Sequence, residues 1–224
     1  MRPLTNSLPK VLLPLGQKKI FEWTHNYLHK QGVQSLAVNM HHGLDSFQAY
    51  LKTQTFEINI TPFIEKDILG TGGAIKNMKS FVTDDYFFVI NCDIMTELNM
   101  QDMFAFHLEK KALATLFIPD QGEKKYTPIF VDPNNQIRSI LSPTPGHIEA
   151  GIFGGISIFS KDIFKHLPRE GHFCLVRDLL EPLCQKALPI FGFRASTRWY
   201  DTGELDLYHQ TCEILESHPL NWMT

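Results

Sequence analysis

The sequence predicts a protein of the α/β class, with a mostly parallel but mixed sheet flanked by helices. Segments with the spacing of amphipathic helices alternate along the chain with short apolar segments that have the composition of buried strands. The hydrophobic fraction of 43% and the charged fraction of 20% are those of an ordinary globular domain. Since 224 residues suffice for one large α/β domain, we expect a single domain over residues 1–224.

The first half of the chain alternates between helix and strand. Ile20, Trp23 and Tyr27 recur at helical spacing, and Gly32 follows them as a helix stop. The continuous apolar segment YFFVI at 86–90 has the composition of a central parallel strand. The remaining predicted elements of this half are strands at 35–39, 57–61 and 112–118, and helices at 44–51, from Ala74, and at 101–110.

The second half has a more antiparallel pattern. Two apolar segments, 127–131 and 136–141, flank the turn sequence DPNN, and this arrangement predicts a hairpin. We expect one strand over 152–159, in which Gly154 and Gly155 indicate a bulge or a close approach of the backbone. The remaining predicted elements are a helix at 175–186, short strands at Phe191 and at 198–200, and a closing helix from Leu205 to Leu215.

Charge and composition argue against several classes of function. The net charge is −3 and the Lys and Arg residues are scattered, so we expect no nucleic-acid partner. The apolar runs are too short to span a bilayer and the first residues lack the apolar core of a signal peptide. We therefore expect no membrane partner and a cytoplasmic location. The cysteines form no C-x-x-C pair and are interpreted as buried free thiols: Cys92, Cys174, Cys184 and Cys212.

Two aspartates stand directly after predicted strands. Asp93 follows the apolar segment 86–90, where ligands gather in open α/β sheets, but a turn-forming Asp is an equally good interpretation. Asp201 ends a short strand, and taken alone it favours the N-terminal cap of a helix. The two together favour a magnesium site, because proteins hold Mg²⁺ with one or two carboxylates plus substrate phosphates.

Two further features are candidates for ligand contact. The segment Gly70-Thr71-Gly72-Gly73 allows a ligand to approach the backbone, although a tight strand-to-helix turn is the stronger interpretation of the residues alone. It is not a Walker motif, since no Gly-Lys-Ser/Thr follows. Lys10 lies in the apolar, proline-framed segment SLPKVLLPL, which is an unusual position for a solvated surface charge.

Five stretches of the chain, taken in order, resemble the sugar-1-phosphate nucleotidyltransferase family. They are RPLT and PK within 2–10, LGTGGAIK at 69–76, INCD at 90–93, FGGISIFS at 153–160 and RWYDTG at 198–203. No single stretch is specific, but the ordered set is, and it covers almost the whole chain. The chain is similar to short, single-domain members such as mannose-1-phosphate guanylyltransferase-like proteins, the heptose-1-phosphate guanylyltransferase and the N-acetylmuramate-1-phosphate uridylyltransferase.

The resemblance implies a Rossmann-like nucleotidyltransferase fold and a role for individual residues. Asp93 and Asp201 match the magnesium-binding aspartates, and Lys10 matches a lysine that contacts phosphate, so Lys10 and Asp93 are the implied catalytic residues. Gly155 matches the glycine beside the sugar. The loop that reads the base corresponds to Gly70, Thr71, Gly72 and Gly73.

The reaction that the resemblance implies joins a nucleoside triphosphate, GTP or UTP, to a sugar-1-phosphate and releases pyrophosphate, with Mg²⁺ as cofactor. The attacking phosphate has a second pKa near ~6, so it is already ionised and needs no general base. Positioning and charge neutralisation are sufficient for such a transfer. The expected assembly is a monomer or a homodimer.

The resemblance also implies a strand and a G-x-G-x-R loop before the RPLT stretch. Met1 stands where that loop should end, so we expect the chain to lack both and to hold the triphosphate poorly. Two alternatives stay open at this point. One is a catalytically inactive homologue that binds a nucleotide sugar or an active partner subunit, and the other is a metal-dependent glycosyltransferase. Pyrophosphate release separates the first reading from both alternatives.

Overall fold

The computed structural model describes residues 1, 3–6, 8–120, 126–143, 145–168 and 171–223. Arg2, which begins the RPLT stretch, lies outside the described residues. The strands are β1 (Pro14–Leu15), β2 (Lys18–Lys19), β3 (Ser35–Met40), β4 (Asn59–Ile64), β5 (Tyr86–Ile90), β6 (Ile94–Thr96), β7 (Ala114–Pro119), β8 (Pro128–Val131), β9 (Ile137–Ser139), β10 (Ile148–Ile152), β11 (Ile156–Ser160), β12 (Ile190–Ala195) and β13 (Trp199–Asp201).

The helices cover most of the remaining chain. The α-helices are α1 (Ile20–Lys30), α2 (Leu44–Thr53), α3 (Gly70–Asn77), α4 (Met100–Glu109), α5 (Glu181–Gln185) and α6 (Leu205–Ser217). Short 3₁₀ segments are Leu4–Asn6, Lys10–Leu12, Lys79–Phe81 and Lys161–Lys165, and a π-helical turn, Leu175–Leu180, precedes α5. Among the described residues, none of the helices has the length and apolarity needed to cross a membrane.

The chain folds into two compact units. Unit 1 contains Met1–Asp67, Asn91–Glu97 and Arg198–Thr224, and unit 2 contains Ile68–Ile90 and Leu98–Thr197. The predicted single domain over residues 1–224 stays a prediction.

Unit 1 contains three separate strand pairs, which are β1–β2, β3–β4 and β6–β13. The parallel pair β3–β4 lies with an aromatic core in which the Phe21 and Phe47 rings meet edge to face at 4.9 Å. The antiparallel pair β6–β13 belongs to a second cluster, to which α1 contributes Trp23 and α6 contributes Tyr208. Helix α1 begins where the Lys19 amide donates to the Glu22 carboxylate, at 2.6 Å. The β6–β13 pair is the part of unit 1 that positions the candidate site.

Unit 2 contains a four-stranded sheet in the order β12-β7-β11-β5 and a three-stranded sheet in the order β10-β8-β9. All six residues of β7 are buried, as the predicted apolar strand requires. The segment YFFVI was expected to be a central parallel strand, but β5 lies at the edge of the described sheet and pairs only with β11 there. Strand β11 lies between β7 and β5 and runs antiparallel to both, so β5 has an antiparallel neighbour in place of the predicted parallel ones.

The predicted mixed α/β class with helices beside the sheet is confirmed. Two of the described pairings, β3–β4 and β7–β12, are parallel and the others are antiparallel, so the parallel share is smaller than the sequence indicated. The predicted strand over 152–159 is wrong, because β10 ends at Ile152 and β11 begins at Ile156. Between them Gly155 has a φ of +77°, which takes the backbone out of the extended conformation.

Candidate functional site

The Lys10 side chain forms an ion pair with Asp93 inside unit 1. Lys10 opens a 3₁₀ segment, and its ammonium group donates to Asp93 Oδ2. Both side chains are partly buried, with 30% and 19% of their surfaces exposed. Burial alone would lower the pKa of the Lys10 ammonium, but the charge and hydrogen bond of Asp93 outweigh it, so that pKa lies above its usual value. Lys10 therefore presents a permanent positive charge beside the Asp93 carboxylate.

The backbone around Asp93 is fixed by two threonines. The amide and the hydroxyl of Thr202 both donate to the Asp93 carbonyl oxygen, at 2.8 and 2.9 Å. From α1, the Thr24 hydroxyl donates to the Cys92 carbonyl oxygen at 3.3 Å. Thr202 is fully buried, so these bonds are shielded from water and hold the start of β6 in one place.

Asp201 reaches the same place from β13. In the antiparallel β6–β13 pair Asp201 stands opposite Ile94, the residue that follows Asp93. The Gly203 amide donates to Asp201 Oδ1 at 2.6 Å. The two aspartates therefore share one end of a three-residue ribbon.

Gly203 shows how closely the two carboxylates converge. A Cβ atom at this position would lie 2.8 Å from Asp201 Oδ1 and 3.0 Å from Asp93 Oδ2. Both oxygens thus lie within 3.0 Å of one point. Both carboxylates therefore lie against the backbone of Gly203, and they leave no room for a side chain at residue 203.

The donor set fits a hard cation that takes part of its shell from a substrate. Two carboxylates converge on one point, which is the protein contribution typical of a Mg²⁺ site completed by water and phosphate. Within the described ranges, no group of three or more His, Cys, Asp or Glu residues forms a cage for a metal ion. An all-protein metal cage is therefore not what the described residues of this site offer.

Cys92, next to Asp93, is a neutral thiol. Burial raises its pKa to about 12, and the Asp93 charge acts in the same direction. A thiol with that pKa carries almost no thiolate at neutral pH. Cys92 therefore fills space beneath the site and is unsuited to act as a nucleophile.

In unit 2, the predicted Gly-rich turn is the first turn of a helix. We expected the helix to begin at Ala74, but α3 already begins at Gly70. The amides of Gly72 and Gly73 donate to the Phe173 carbonyl oxygen at 3.1 and 3.4 Å, and the Leu175 amide donates to the Thr71 hydroxyl at 3.1 Å. These bonds tie the start of α3 to the segment 173–175.

The glycines of α3 are required by packing. A Cβ at Gly72 would lie 2.3 Å from the Phe173 ring, and one at Gly70 would lie 2.6 Å from the Phe173 carbonyl oxygen. Gly70 also has a φ of +73°, which disfavours any other residue. The tight-turn interpretation is thus sufficient to explain these glycines, and their contact with a base stays a prediction.

Gly155 lies in the break between β10 and β11. Its neighbour Gly154 donates its amide to the Phe117 carbonyl oxygen at 2.9 Å, and a Cβ at Gly154 would lie 2.7 Å from the Phe117 ring. The expected close approach of the backbone is therefore confirmed at Gly154. The contact of Gly155 with a sugar stays a prediction.

The structure brings Lys10, Asp93 and Asp201 together in unit 1, while the predicted substrate-binding glycines belong to unit 2. Sequence reasoning missed three residues that shape the aspartate pair: Thr24, Thr202 and Gly203. The signal for two of them was available, because a Thr and a Gly directly after a strand-end Asp are small and polar enough to pack against a carboxylate. Thr24 lies in the middle of a helix and carries no such signal.

Comparison with known proteins gives one family over nearly the whole chain. The family model described as "Nucleotidyl transferase" matches residues 1–218. The chain is similar to the D-glycero-alpha-D-manno-heptose 1-phosphate guanylyltransferase of Aneurinibacillus thermoaerophilus, with 28% identity over 221 residues that cover 97% of this chain and 94% of the relative.

Two further comparisons agree with that match. The chain is 27% identical over 228 residues to the UTP–glucose-1-phosphate uridylyltransferase of Synechocystis sp. The match covers 94% of this chain but only 58% of that longer relative. The fold is similar to the crystal structure of HddC from Yersinia pseudotuberculosis, with a TM-score of 0.79 and 26% identity, covering 92% of this chain and 90% of that one.

Proposed function

Because the chain belongs to the nucleotidyl transferase family, we propose that it transfers a nucleoside monophosphate from a nucleoside triphosphate to a sugar-1-phosphate. The observation that carries this proposal is the convergence of Lys10, Asp93 and Asp201 at one end of the β6–β13 ribbon. A cation beside two carboxylates is what a reaction between phosphates needs, since its charges must be neutralised.

In the proposed reaction an oxygen of the sugar-1-phosphate attacks the α-phosphorus of the triphosphate. The bond from that phosphorus to the oxygen bridging to the β-phosphate breaks, and pyrophosphate leaves. The nucleophile is already ionised at neutral pH, because the second pKa of a phosphate monoester is about 6. The protein therefore has to orient the two phosphates and neutralise their charge, and it has no proton to remove from the nucleophile.

We propose that Asp93 and Asp201 hold Mg²⁺. The support is the geometry of the two carboxylate oxygens, which lie within 3.0 Å of one point. When bound, the ion would supply charge neutralisation for the triphosphate. Lys10, whose pKa lies above its usual value, adds a further fixed positive charge beside Asp93.

The substrate-binding roles proposed for unit 2 rest on the family resemblance of its glycine segments. The amides of Gly72 and Gly73 already donate to the Phe173 carbonyl oxygen. We therefore propose that half-buried Gly70 and exposed Thr71 make the contact with the base. For the sugar, the proposed contact is Gly155. The family match over residues 1–218 supports the further proposal that both units belong to one nucleotidyltransferase domain.

The names of the relatives guide the choice of substrates. The relative matched over nearly its whole length is a guanylyltransferase for a heptose 1-phosphate, and the longer relative is a uridylyltransferase. We therefore propose GTP or UTP as the nucleotide, and an aldose-type sugar-1-phosphate as the acceptor. We also propose a cytoplasmic location, consistent with four free cysteines, and a monomer or homodimer as the assembly.

The experiment that tests the proposal is a screen of GTP and UTP against a set of sugar-1-phosphates, with detection of pyrophosphate. Pyrophosphate release that requires both substrates supports the proposal. Asp93→Asn is the control, because it removes one carboxylate charge with little change in volume. Pyrophosphate formed equally by this variant would show that the activity does not arise at the candidate site. A glycosyltransferase would release no pyrophosphate from these substrates, because its donor is a nucleotide sugar.

A further inference from the structure

The β6–β13 ribbon has a second end, opposite the two aspartates. There the Glu97 amide donates to the Arg198 carbonyl oxygen at 3.1 Å, and the Thr96 hydroxyl donates to the same oxygen at 2.8 Å. The ribbon consists of only three residue pairs, so Arg198 and Glu97 at this end are only a few residues along the chain from Asp201 and Asp93. Two-stranded ribbons of this length have little stability of their own.

An ion pair closes this second end. Arg198 donates from Nε to Glu97 Oε2 at 2.9 Å and from Nη2 to Glu97 Oε1 at 2.5 Å. The two side chains are 31% and 17% exposed, so the pair is partly shielded from water. A planar guanidinium that binds both oxygens of a carboxylate fixes the orientation of both groups.

The segment that follows α6, residues 218–222, fastens the ion pair to the rest of unit 1. Arg198 also donates to the carbonyl oxygens of His218 and Pro219, at 3.0 and 2.9 Å. The Asn221 amide donates to Glu97 Oε1 at 2.7 Å, and the Trp222 indole donates to the Thr96 carbonyl oxygen at 2.7 Å. We call this segment the C-terminal strap.

We propose that the Arg198–Glu97 pair and the C-terminal strap are a positioning device that holds Asp93 and Asp201 at the spacing a divalent cation requires. This inference rests on the proposed function, because the metal is the ligand that the aspartates would bind. Loss of a group that hydrogen-bonds a metal ligand directly typically weakens metal affinity 10- to 100-fold, and because Arg198 acts one step further away, through the ribbon, we expect an effect at the lower end of that range. Arg198 is thus a positioning residue, since no part of it has to touch the metal or a substrate.

The direct test is Mn²⁺ alone, titrated into the full chain and followed by electron paramagnetic resonance. Arg198→Ala is expected to weaken Mn²⁺ binding about 10-fold. Simple electrostatics predicts the opposite, because removing a cation near two carboxylates strengthens their attraction for Mn²⁺. The sign of the change therefore separates a positioning role from a charge effect. Arg198→Lys should restore only part of the affinity, since an ammonium cannot bind both oxygens in a fixed plane.

Arg138 offers a matched control in unit 2. Its Nε and Nη2 donate to Asp132 Oδ2 at 3.1 and 2.7 Å, and the two side chains are 27% and 12% exposed, close to the values of the Arg198 pair. Arg138→Ala removes a comparable ion pair and should leave Mn²⁺ affinity unchanged. Trp222→Phe is the second test variant, because it deletes one hydrogen bond of the strap and keeps an aromatic ring, and it should weaken Mn²⁺ binding less than Arg198→Ala does. It carries the test alone if Arg198→Ala loses cooperative unfolding.

The aspartate variants distinguish failure of this inference from failure of the proposed function. If Asp93→Asn and Asp201→Asn abolish Mn²⁺ binding while both Arg198→Ala and Trp222→Phe bind Mn²⁺ as tightly as the unmodified chain, the positioning inference is overturned and the metal site stands. If the unmodified chain binds Mn²⁺ without regard to the aspartates, or does not bind it either alone or together with GTP or UTP, the proposed metal site is overturned, and the positioning inference is overturned as well.

Discussion

Replacing Gly203 by alanine tests the convergence of the two carboxylates with a single added methyl group. The new Cβ would lie 2.8 Å from Asp201 Oδ1 and 3.0 Å from Asp93 Oδ2, both shorter than an ordinary contact of 3.4 Å or more. The backbone of Gly203 does not lie in the left-handed region that disfavours side chains, so its φ does not exclude alanine. Any effect of the substitution therefore comes from the displaced carboxylates.

The size of the effect follows from these distances. To restore an ordinary contact, the Asp201 carboxylate must retreat by about half an ångström, and Asp93 by slightly less. The retreat weakens the 2.6 Å hydrogen bond from the Gly203 amide, and a bond to a charged group contributes about 1.5–3 kcal/mol. Misplacing a reacting group by 1 Å typically lowers a rate about 100-fold, so we expect turnover to fall roughly 10- to 100-fold.

The assay is pyrophosphate release measured over a range of MgCl₂ concentrations, with the thermal midpoint recorded for each variant. Gly203→Ala should lower turnover and shift the Mg²⁺ requirement upward, while the thermal midpoint falls by only a few degrees because the Gly203 hydrogen bond is weakened. Gly192→Ala is the control. A Cβ at Gly192 would lie 2.5 Å from the end of the Ile118 side chain, and the nearest atoms around it belong to apolar side chains and not to carboxylates. Normal turnover and an unchanged Mg²⁺ requirement in Gly203→Ala would refute the claim that the two carboxylates act together.

Three further outcomes are expected. Asp201→Asn should abolish turnover and keep the thermal midpoint, and near-normal turnover under Mg²⁺ would remove Asp201 from the metal site. Lys10→Ala should lower kcat roughly 100-fold with a smaller change in KM, because the ammonium acts on charge that develops during transfer; a pure rise in KM would contradict this. Burial lowers the pKa of His107 to about 4, below its unfolded value near 6.5, so the free energy of unfolding should fall by roughly 3 kcal/mol as the pH drops from about 6.5 to 4. Denaturant titrations should show a flatter dependence in His107→Leu and an unchanged one in the exposed control His166→Gln.

Elements with strong hydrophobic periodicity were predictable from the sequence. Helix α1 begins at the predicted Ile20, and β5 occupies the predicted segment 86–90. The hairpin around Asp132 also forms, as β8 and β9. In each case the pattern of buried residues and the turn sequence specify the element locally, without help from distant parts of the chain.

Elements that depend on distant contacts were not predictable. Strand β6 has only three residues, too few to show a period, and it exists because it pairs with β13 more than a hundred residues later. The break at Gly155 depends on the Phe117 carbonyl that binds the Gly154 amide. Local patterns contain no information about such partners, so the apolar pattern predicts one strand over 152–159 where the structure has two.

The candidate site divides in the same way. The residue types of Asp93 and Asp201 at strand ends already favoured a cation site, and their convergence is now visible through Gly203. The ion pair between Lys10 and Asp93 joins residues 83 positions apart, and no local pattern indicates it. The ordered set of family motifs supplied that expectation, and the structure supplies the contact.

The measurement that tests the central claim most directly follows two isotopic labels through the reaction. The nucleoside triphosphate is labelled in one sample at the α-phosphate and in another at the γ-phosphate, and each is incubated with the sugar-1-phosphate and Mg²⁺. The account predicts that the α-label appears in a nucleotide sugar and the γ-label in pyrophosphate, and that Asp201→Asn transfers neither. Transfer of the γ-label to the sugar, or an α-label that leaves the triphosphate equally well in Asp201→Asn, would contradict it.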